Sequence, residues 1–253
     1  MRPMLRIGGI TDTSTVDWYG NVSLVVFFAG CNFRCPYCQN SSLIPADSGS
    51  EMRIGALHRR IDFSAALLDA VVFTGGEPLL QPESLLKAAQ MIEGTGLKLM
   101  LNTNGCRPDV VERLIEKGLV DRVALDVKAP FTAEDYGTVI GVTGLGAQMA
   151  KNVERTLDTS HDLGAEVEAR TTVAPTVSDE PEFIRRIASS VRNRCDVYYL
   201  QQYDNMGDIL SPALKAMRPP DRESMMSLAR IAVEEGVNDV YIKTREHGLE
   251  RVV

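Results

Sequence analysis

The residues best suited to chemistry in this chain are three cysteines, Cys31, Cys35 and Cys38, at C-x3-C-x2-C spacing. Cysteine thiolates bind iron–sulfur clusters, and a four-iron cluster held by the protein alone takes four of them. Since no fourth cysteine lies nearby, one iron would stay open to a small molecule, as catalytic zinc sites keep an open position that structural sites close. The spacing therefore predicts a catalytic [4Fe-4S] cluster with its metal ligands at these three positions.

The segment Ala29–Asn40 resembles the cluster motif of the radical S-adenosylmethionine (SAM) enzymes, with Tyr37 directly before the last cysteine, as that family prefers. The resemblance implies SAM on the open iron and its cleavage to methionine and a 5′-deoxyadenosyl radical. It also implies that Tyr37 and Gln39 lie beside SAM. The alternative is a zinc site completed by Cys106, Cys195 or a histidine, although neither cysteine brings a second ligand pair.

Composition places the chain among ordinary globular proteins, with 44% hydrophobic and 24% charged residues. A length of 253 residues suits one sizeable core, so we expect a single domain spanning residues 1–253. The net charge of −7 argues against nucleic acid as the main partner. No apolar run is long enough for a membrane span or a signal peptide, and the cysteine usage fits a reducing compartment, so a cytoplasmic location is expected.

Short apolar runs recur along the chain and alternate with helical segments. Six of them predict strands: Val22–Ala29, Ala70–Thr74, Leu97–Leu101, Asp121–Val127, Glu166–Val173 and Asp196–Gln201. Strands that alternate with helices form parallel sheets with right-handed crossovers. Six units are too few for a closed eight-fold barrel, so the predicted fold is α/β, an open partial (β/α)6 TIM-like barrel of the radical SAM type.

The predicted helices begin near proline and end near glycine, the expected asymmetry of helix ends. They are Pro82 to about Gly94, Pro108–Lys117, Leu145–Leu163, Glu180–Val191 and Arg222–Glu235. A short last strand is expected at Val240–Lys243. The longest segments predicted to be irregular are Ser41–Gly55 and Tyr203–Pro220, and both follow strands that could carry the site.

The loop after the second strand contains Gly75, Gly76 and Glu77. Two glycines leave backbone groups uncovered, so that a ligand can approach closely. A tight turn is the alternative, since Gly-Gly and Glu-Pro mark turns. About forty residues after the cluster motif, however, Gly-Gly-Glu-Pro resembles the motif with which radical SAM enzymes bind the amino group of SAM.

The third strand ends in Asn102-Thr-Asn104-Gly, where Asn-Gly by itself indicates a turn. In the activating enzymes of glycyl-radical proteins a similar strand ends in Asp-Thr-Asn-Gly and faces the SAM carboxylate or a nearby cation. The resemblance implies that Asn102 and Asn104 contact SAM. Asn102 stands where that pattern has aspartate, which removes a charge.

Charged residues mark the later strands. Asp126 and Lys128, two apart, share a face of the strand and form either a structural pair or the Asp-x-Lys contact to SAM and substrate that the resemblance implies. Lys128 is therefore a candidate catalytic residue. Arg170 resembles a SAM-binding arginine of the family, with an exposed strand arginine as the alternative. Gln202 would replace a histidine that reaches SAM in activating enzymes.

The segment before the cluster motif, Ser14–Gly20, resembles the corresponding segment of glycyl-radical activating enzymes, and the branch that activates anaerobic ribonucleotide reductase resembles it most. Trp18-Tyr19-Gly20 departs from the Tyr-Pro-Gly of that branch. The leading hypothesis is an oxidoreductase with one cluster that installs a glycyl radical on that reductase and receives electrons from ferredoxin or flavodoxin. The alternatives are a radical SAM enzyme acting on a small molecule, as deazaguanine synthases do, and a non-catalytic iron–sulfur or zinc protein.

Overall fold

The computed structural model of the protein describes residues 4–252. Within them, the strands are β1 Met4–Ser14, β2 Ser23–Phe28, β3 Ser50–Arg53, β4 Ala70–Gly75, β5 Lys98–Thr103, β6 Arg122–Asp126, β7 Glu166–Val173, β8 Val197–Gln202, β9 Val240–Thr244 and β10 Gly248–Arg251. The α-helices are α1 Ile54–Ser64, α2 Pro82–Glu93, α3 Pro108–Glu116, α4 Ala133–Val139, α5 Gly146–Asp162, α6 Pro181–Val191, α7 Pro212–Lys215 and α8 Arg222–Glu234.

The strands form one mixed sheet in the order β10-β9-β8-β7-β6-β5-β4-β2-β1-β3. Neighbours from β2 through β9 pair in parallel, whereas β1, β3 and β10 pair antiparallel at the two edges. No pairing among residues 4–252 joins the β2 side of the sheet to the β9 side, so the parallel strands form an open barrel. The predicted fold class and the six predicted strands, with a seventh at the end, are confirmed.

Some elements were absent from the prediction. The first strand, β1, pairs antiparallel with β2 and carries no apolar run, because Gly, Thr and Asp fill its second half. The segment Ser41–Gly55, predicted to be irregular, contains β3 and the start of α1, a helix that buries Ile54, Leu57 and Ile61. The segment Tyr203–Pro220 contains the short helix α7. No helix found within residues 4–252 has the length and apolar character that a membrane span requires.

The loop between β1 and β2 fills the base of the barrel. Trp18 is 4% exposed and belongs to a small core with Val25, Ala70, Val72, Met100 and Ala124. Nearby, Lys98 and Arg122, which begin β5 and β6, lie over its ring. The same loop reaches β9, because Lys243 Nζ donates to the Val16 carbonyl at 2.8 Å. The loop therefore connects the two sides of the open sheet.

Candidate active site

One cavity of about 370 Å³ lies at the carboxyl ends of the parallel strands. Its size lies within the range of small-molecule sites. Its walls come from the loop after β2 and from the ends of β4 through β9, which is where parallel α/β folds place their ligands. Every predicted site residue except Gln202 lines it.

The three motif cysteines lie along one wall of this cavity, in a loop held by backbone hydrogen bonds. The amide of Cys31 donates to the Ile44 carbonyl, and that of Cys38 donates to the Cys35 carbonyl, both at 3.0 Å. Burial raises the pKa of Cys31 to about 11 and that of Cys35 to about 12, and it also raises the pKa of Cys38. The thiols therefore hold their protons in the metal-free protein, and binding iron must release them.

The donor set fits an iron–sulfur cluster, since three soft thiolates suit iron bound to sulfide. Within residues 4–252, no three Cys, His, Asp or Glu side chains converge on a position for a single metal ion. A four-iron cluster does not require the three cysteines to converge on one point, because each cysteine binds a different iron.

Gly75 and Gly76 allow the end of β4 to pack against the end of β2 and the start of the cluster loop. Gly75 has a φ of +115°, and a Cβ there would lie 2.3 Å from the Phe28 amide nitrogen. A Cβ on Gly76 would lie 2.3 Å from the Gly30 carbonyl oxygen. Both glycines also line the cavity, so close backbone packing and ligand access both require them.

Glu77 is fully buried beneath the cavity and joins two of its loops. Its carboxylate accepts hydrogen bonds from the Leu79 amide at 2.9 Å, the Thr103 hydroxyl at 2.7 Å and the Asn104 amide at 2.7 Å. Burial raises its pKa to about 7 despite these three donors. A cationic ligand group in the cavity would stabilise the ionised form.

The two asparagines that end β5 differ in their hydrogen bonding. Asn104 donates to the Asn32 side chain at 3.0 Å and accepts from the Cys106 amide at 3.0 Å. Asn102 lines the cavity, yet its Oδ1 atom is buried without a hydrogen-bond partner in residues 4–252. A buried carbonyl left unpaired costs about 1–3 kcal/mol, so this atom fits a donor on a ligand.

Asp126 and Lys128 face the cavity together, as their spacing predicts. The Lys128 ammonium lies 2.8 Å from the Asp126 carboxylate and 5.9 Å from the centre of the Tyr37 ring. Burial by itself would lower the pKa of Lys128, but the charge and hydrogen bond of Asp126, together with the nearby Tyr37 and Cys35, raise it above its usual value. Lys128 is therefore a fixed cation beside the cluster loop.

A model of the radical SAM superfamily matches residues 25–187 of the chain. The protein belongs to the radical SAM superfamily. The match includes the cluster motif, Gly-Gly-Glu-Pro and the ends of strands β4 through β7. The predicted membership of the radical SAM superfamily and the prediction of an enzyme are thereby confirmed.

Two similar proteins cover most of this radical SAM chain, and a third covers about a third of it. A protein of Methanocaldococcus jannaschii, provisionally named as a glycyl-radical enzyme activating enzyme, is 34% identical over 238 residues, which are 94% of this chain and 95% of that protein. The pyruvate formate-lyase-activating enzyme of Clostridium pasteurianum is 30% identical over 194 residues, 75% of this chain and 77% of that enzyme. The 7-carboxy-7-deazaguanine synthase of Hyperthermus butylicus is 38% identical, but over only 35% of this chain and 37% of that enzyme.

Solved structures agree with the fold. A radical SAM methyltransferase of Sphaerobacter thermophilus superposes with a TM-score of 0.68 at 16% identity, covering 89% of this chain and 67% of that chain. QueE of Escherichia coli gives a TM-score of 0.56 at 13% identity and covers 96% of this chain and 95% of that chain. At these identities the likeness shows the shared barrel alone.

Two predicted residues of this radical SAM site have different outcomes. Arg170 lines the cavity and is only 9% exposed, so the alternative of an exposed strand arginine is wrong. Gln202 lies outside the cavity, because its side chain donates to the Pro220 carbonyl at 2.7 Å and accepts from the Arg245 amide at 2.9 Å. The neighbouring Gln201 lines the cavity instead, since consecutive strand residues face opposite sides.

The radical SAM cavity also contains residues that the sequence prediction missed. Asp17, which accepts a hydrogen bond from the Ser14 hydroxyl at 2.5 Å, and Lys243 of β9 both line it. Lys243 is a charged residue on a short apolar strand, the same signal that revealed Asp126 and Lys128. Asp17 has no comparable signal, because it lies in a loop.

The remaining cysteines do not line the radical SAM cavity. Cys106 is 3% exposed and Cys195 is partly buried, and neither lines the cavity walls. Burial raises the pKa of both thiols. They fit the interpretation of small buried hydrophobic residues.

Proposed function

We propose that this protein is an activating enzyme that installs a glycyl radical on a separate protein, using one [4Fe-4S] cluster and SAM. The observation that carries the proposal is the similarity to the Methanocaldococcus jannaschii protein, which extends over 94% of this chain. The similarity to a pyruvate formate-lyase-activating enzyme over 75% of the chain supports the same class of reaction.

The cavity residues have distinct roles in this proposal. Cys31, Cys35 and Cys38 hold the cluster, and the loop of Gly75, Gly76 and Glu77, with Asn102, Asn104 and Gln39, binds the methionine part of SAM. Tyr37 in the cluster loop, Asp126 and Lys128 at or just after the end of β6, and Arg170 of β7 line the same cavity and orient the ligand. When bound, the cluster and SAM supply an electron and a 5′-deoxyadenosyl radical that removes a hydrogen atom. The protein orients the reactants and keeps water away.

We further propose anaerobic ribonucleoside-triphosphate reductase as the acceptor and ferredoxin or flavodoxin as the electron donor. The acceptor follows from the segment Ser14–Gly20 and the cluster motif, which resemble the branch that activates this reductase. Trp18, which departs from that branch, packs at the base of the barrel and does not line the cavity.

Electron paramagnetic resonance tests the proposal. The purified protein with a reconstituted cluster is mixed anaerobically with the reductase, SAM and dithionite. The expected result is the doublet of a glycyl radical, which is absent when the acceptor glycine is replaced by alanine. A competent cluster that cleaves SAM without producing a doublet would reject this acceptor. Pyruvate formate-lyase in a parallel sample shows whether another glycyl-radical enzyme is the target.

A second candidate is modification of a small molecule in the manner of deazaguanine synthases. It is supported by the 89-residue similarity to the Hyperthermus butylicus enzyme and by the polar residues Asp17, Gln201 and Lys243 in the cavity. In that case a reduced pterin would be consumed in the presence of SAM and reductant, without any partner protein. Chromatography of the pterin and its product distinguishes the two candidates.

A further inference from the structure

A line of charged side chains runs inside the barrel from its base to the cavity. At its centre is Glu168 of β7, which is only 1% exposed. One carboxylate oxygen accepts from Arg122 Nη1 at 2.8 Å, and the other accepts from Arg170 Nε. Each oxygen of a single buried carboxylate is thus bound to a different guanidinium group.

The lower end of this line is fixed by the barrel base. The Arg122 guanidinium carbon lies 5.4 Å from the centre of the Trp18 ring, a cation–π arrangement. A second group of Arg122, Nη2, is bound to Glu166 at the start of β7. Because Trp18 is itself packed in the inner core, Arg122 has little freedom to move.

The upper end of the line is Arg170, which faces the cavity. It pairs in register with Asp126 of β6, so it lies next to the Asp126–Lys128 pair. Its Nη2 atom lies 3.9 Å from the Met100 sulfur, a weak contact, and its Nη1 atom makes no hydrogen bond within residues 4–252. Arg170 therefore keeps donors available to a ligand while Glu168 holds its inner edge.

We propose that Glu168, anchored by Arg122 on Trp18, is a positioning residue that fixes the Arg170 guanidinium for the carboxylate of SAM. The inference rests on SAM as the ligand of this cavity. The carboxylate is the anionic group of SAM, and a guanidinium binds a carboxylate best when its planar fork is already oriented. A buried glutamate with two cationic partners provides that orientation and is itself compensated by them.

Calorimetric titration of SAM into the cluster-loaded protein, without reductant, tests this inference without turnover. We expect E168Q to raise the Kd for SAM about ten-fold, the loss expected when one charge-assisted contact is weakened. We expect R170Q to raise it at least as much. If Glu168 acts through Arg170, E168Q/R170Q should bind SAM as R170Q does, because the two changes remove one interaction.

The matched control is E166Q on the same strand, which also removes a carboxylate bound to Arg122. Its Kd should stay within about two-fold of the wild-type value, because it has no contact with Arg170. Effects of E168Q and R170Q that add fully in the double variant would overturn the inference, as would an unchanged Kd in E168Q. A merely structural role of Glu168 predicts the additive result.

Thermal unfolding of each variant shows whether it is folded. If E168Q does not fold, E168D carries the test, since it keeps the buried charge but withdraws the carboxylate from Arg170. Its Kd should rise about three-fold or more, and an unchanged Kd would overturn the inference. A wild-type protein that does not bind SAM overturns it as well. The titration contains no acceptor enzyme, so its result does not depend on the proposed function. Normal SAM binding here, combined with no glycyl radical in the paramagnetic resonance experiment, would count against the proposed function alone.

Discussion

At the level of single residues, Asn102 is expected to matter for ligand binding and not for folding. Its Oδ1 atom is buried beside the cavity without a partner in residues 4–252, whereas the next residue, Thr103, bonds to Glu77 and to the Gly105 amide. An atom that forms no internal hydrogen bond contributes nothing to stability through hydrogen bonding. Its position at the cavity wall suits a hydrogen-bond donor on a ligand.

Replacement of Asn102 by alanine should leave the free energy of unfolding within about 1 kcal/mol of wild type while weakening SAM binding about ten-fold. The control T103V should lose about 1–3 kcal/mol, because it leaves buried partners unsatisfied. Urea denaturation and SAM titration measure the two effects. A strongly destabilised N102A would show that Asn102 is structural.

Glu77 gives a prediction for pH dependence. Its pKa is raised from 4.5 to about 7 by burial, so the folded metal-free protein holds a proton that the unfolded chain releases. The stability that this proton contributes is fully present below about pH 4.5 and is lost as pH rises to about 7, at most about 3 kcal/mol. Urea denaturation at about pH 5 and about pH 8 should show this loss in wild type and a smaller loss in E77Q. Equal losses in the two proteins would contradict the assignment to Glu77.

At the level of elements, the sequence predicted the parallel strands and missed β1, β3 and β10, which pair antiparallel at the edges of the sheet. The parallel strands are buried on both faces and therefore read as apolar runs, and the glycines or charges at their ends mark the site. The antiparallel strand β1 has no such run, so its pairing with β2 could not be predicted from composition. Strand β8 ends in two glutamines after an apolar run, which gives no alternation to show which one faces the cavity.

The end of β4 allows a matched comparison of two glycines with positive φ. A Cβ on Gly75 would overlap the Phe28 backbone at 2.3 Å, whereas a Cβ on Gly96 would meet nothing within 4 Å. We expect G75A to lower the free energy of unfolding by about 4 kcal/mol or more, and G96A by about 1–2 kcal/mol from backbone strain alone. Denaturant titration checks this, and equal losses would contradict the close approach of Gly75 to the end of β2.

At the level of the whole molecule, the loop after β1 packs across the base of the open barrel, beneath the cavity. Trp18 packs against the starts of the central strands, and Lys243 on β9 is tied to Val16 and lies 5.3 Å from the centre of the Tyr19 ring. The departure from Tyr-Pro-Gly at Trp18 thus has a structural role in this chain. It fills the base of the barrel beneath the site.

Replacement of Trp18 by alanine should therefore destabilise the protein by about 3–5 kcal/mol, as expected for a large buried aromatic residue. The control F63A removes a ring that is 92% exposed and should change the free energy of unfolding by less than about 0.5 kcal/mol. Circular dichroism during urea unfolding measures both variants. A W18A protein as stable as wild type would show that the loop does not support the barrel.

The proposed function requires that a cluster held by Cys31, Cys35 and Cys38 cleaves SAM reductively in the cavity. The most direct measurement is anaerobic: the cluster is reconstituted and reduced with dithionite, SAM is added, and 5′-deoxyadenosine is quantified by chromatography. Wild type should form 5′-deoxyadenosine, and C35A, which lacks one cluster ligand, should form none. An intact, reducible cluster that binds SAM but yields no 5′-deoxyadenosine, with or without an acceptor enzyme, would contradict the proposed function.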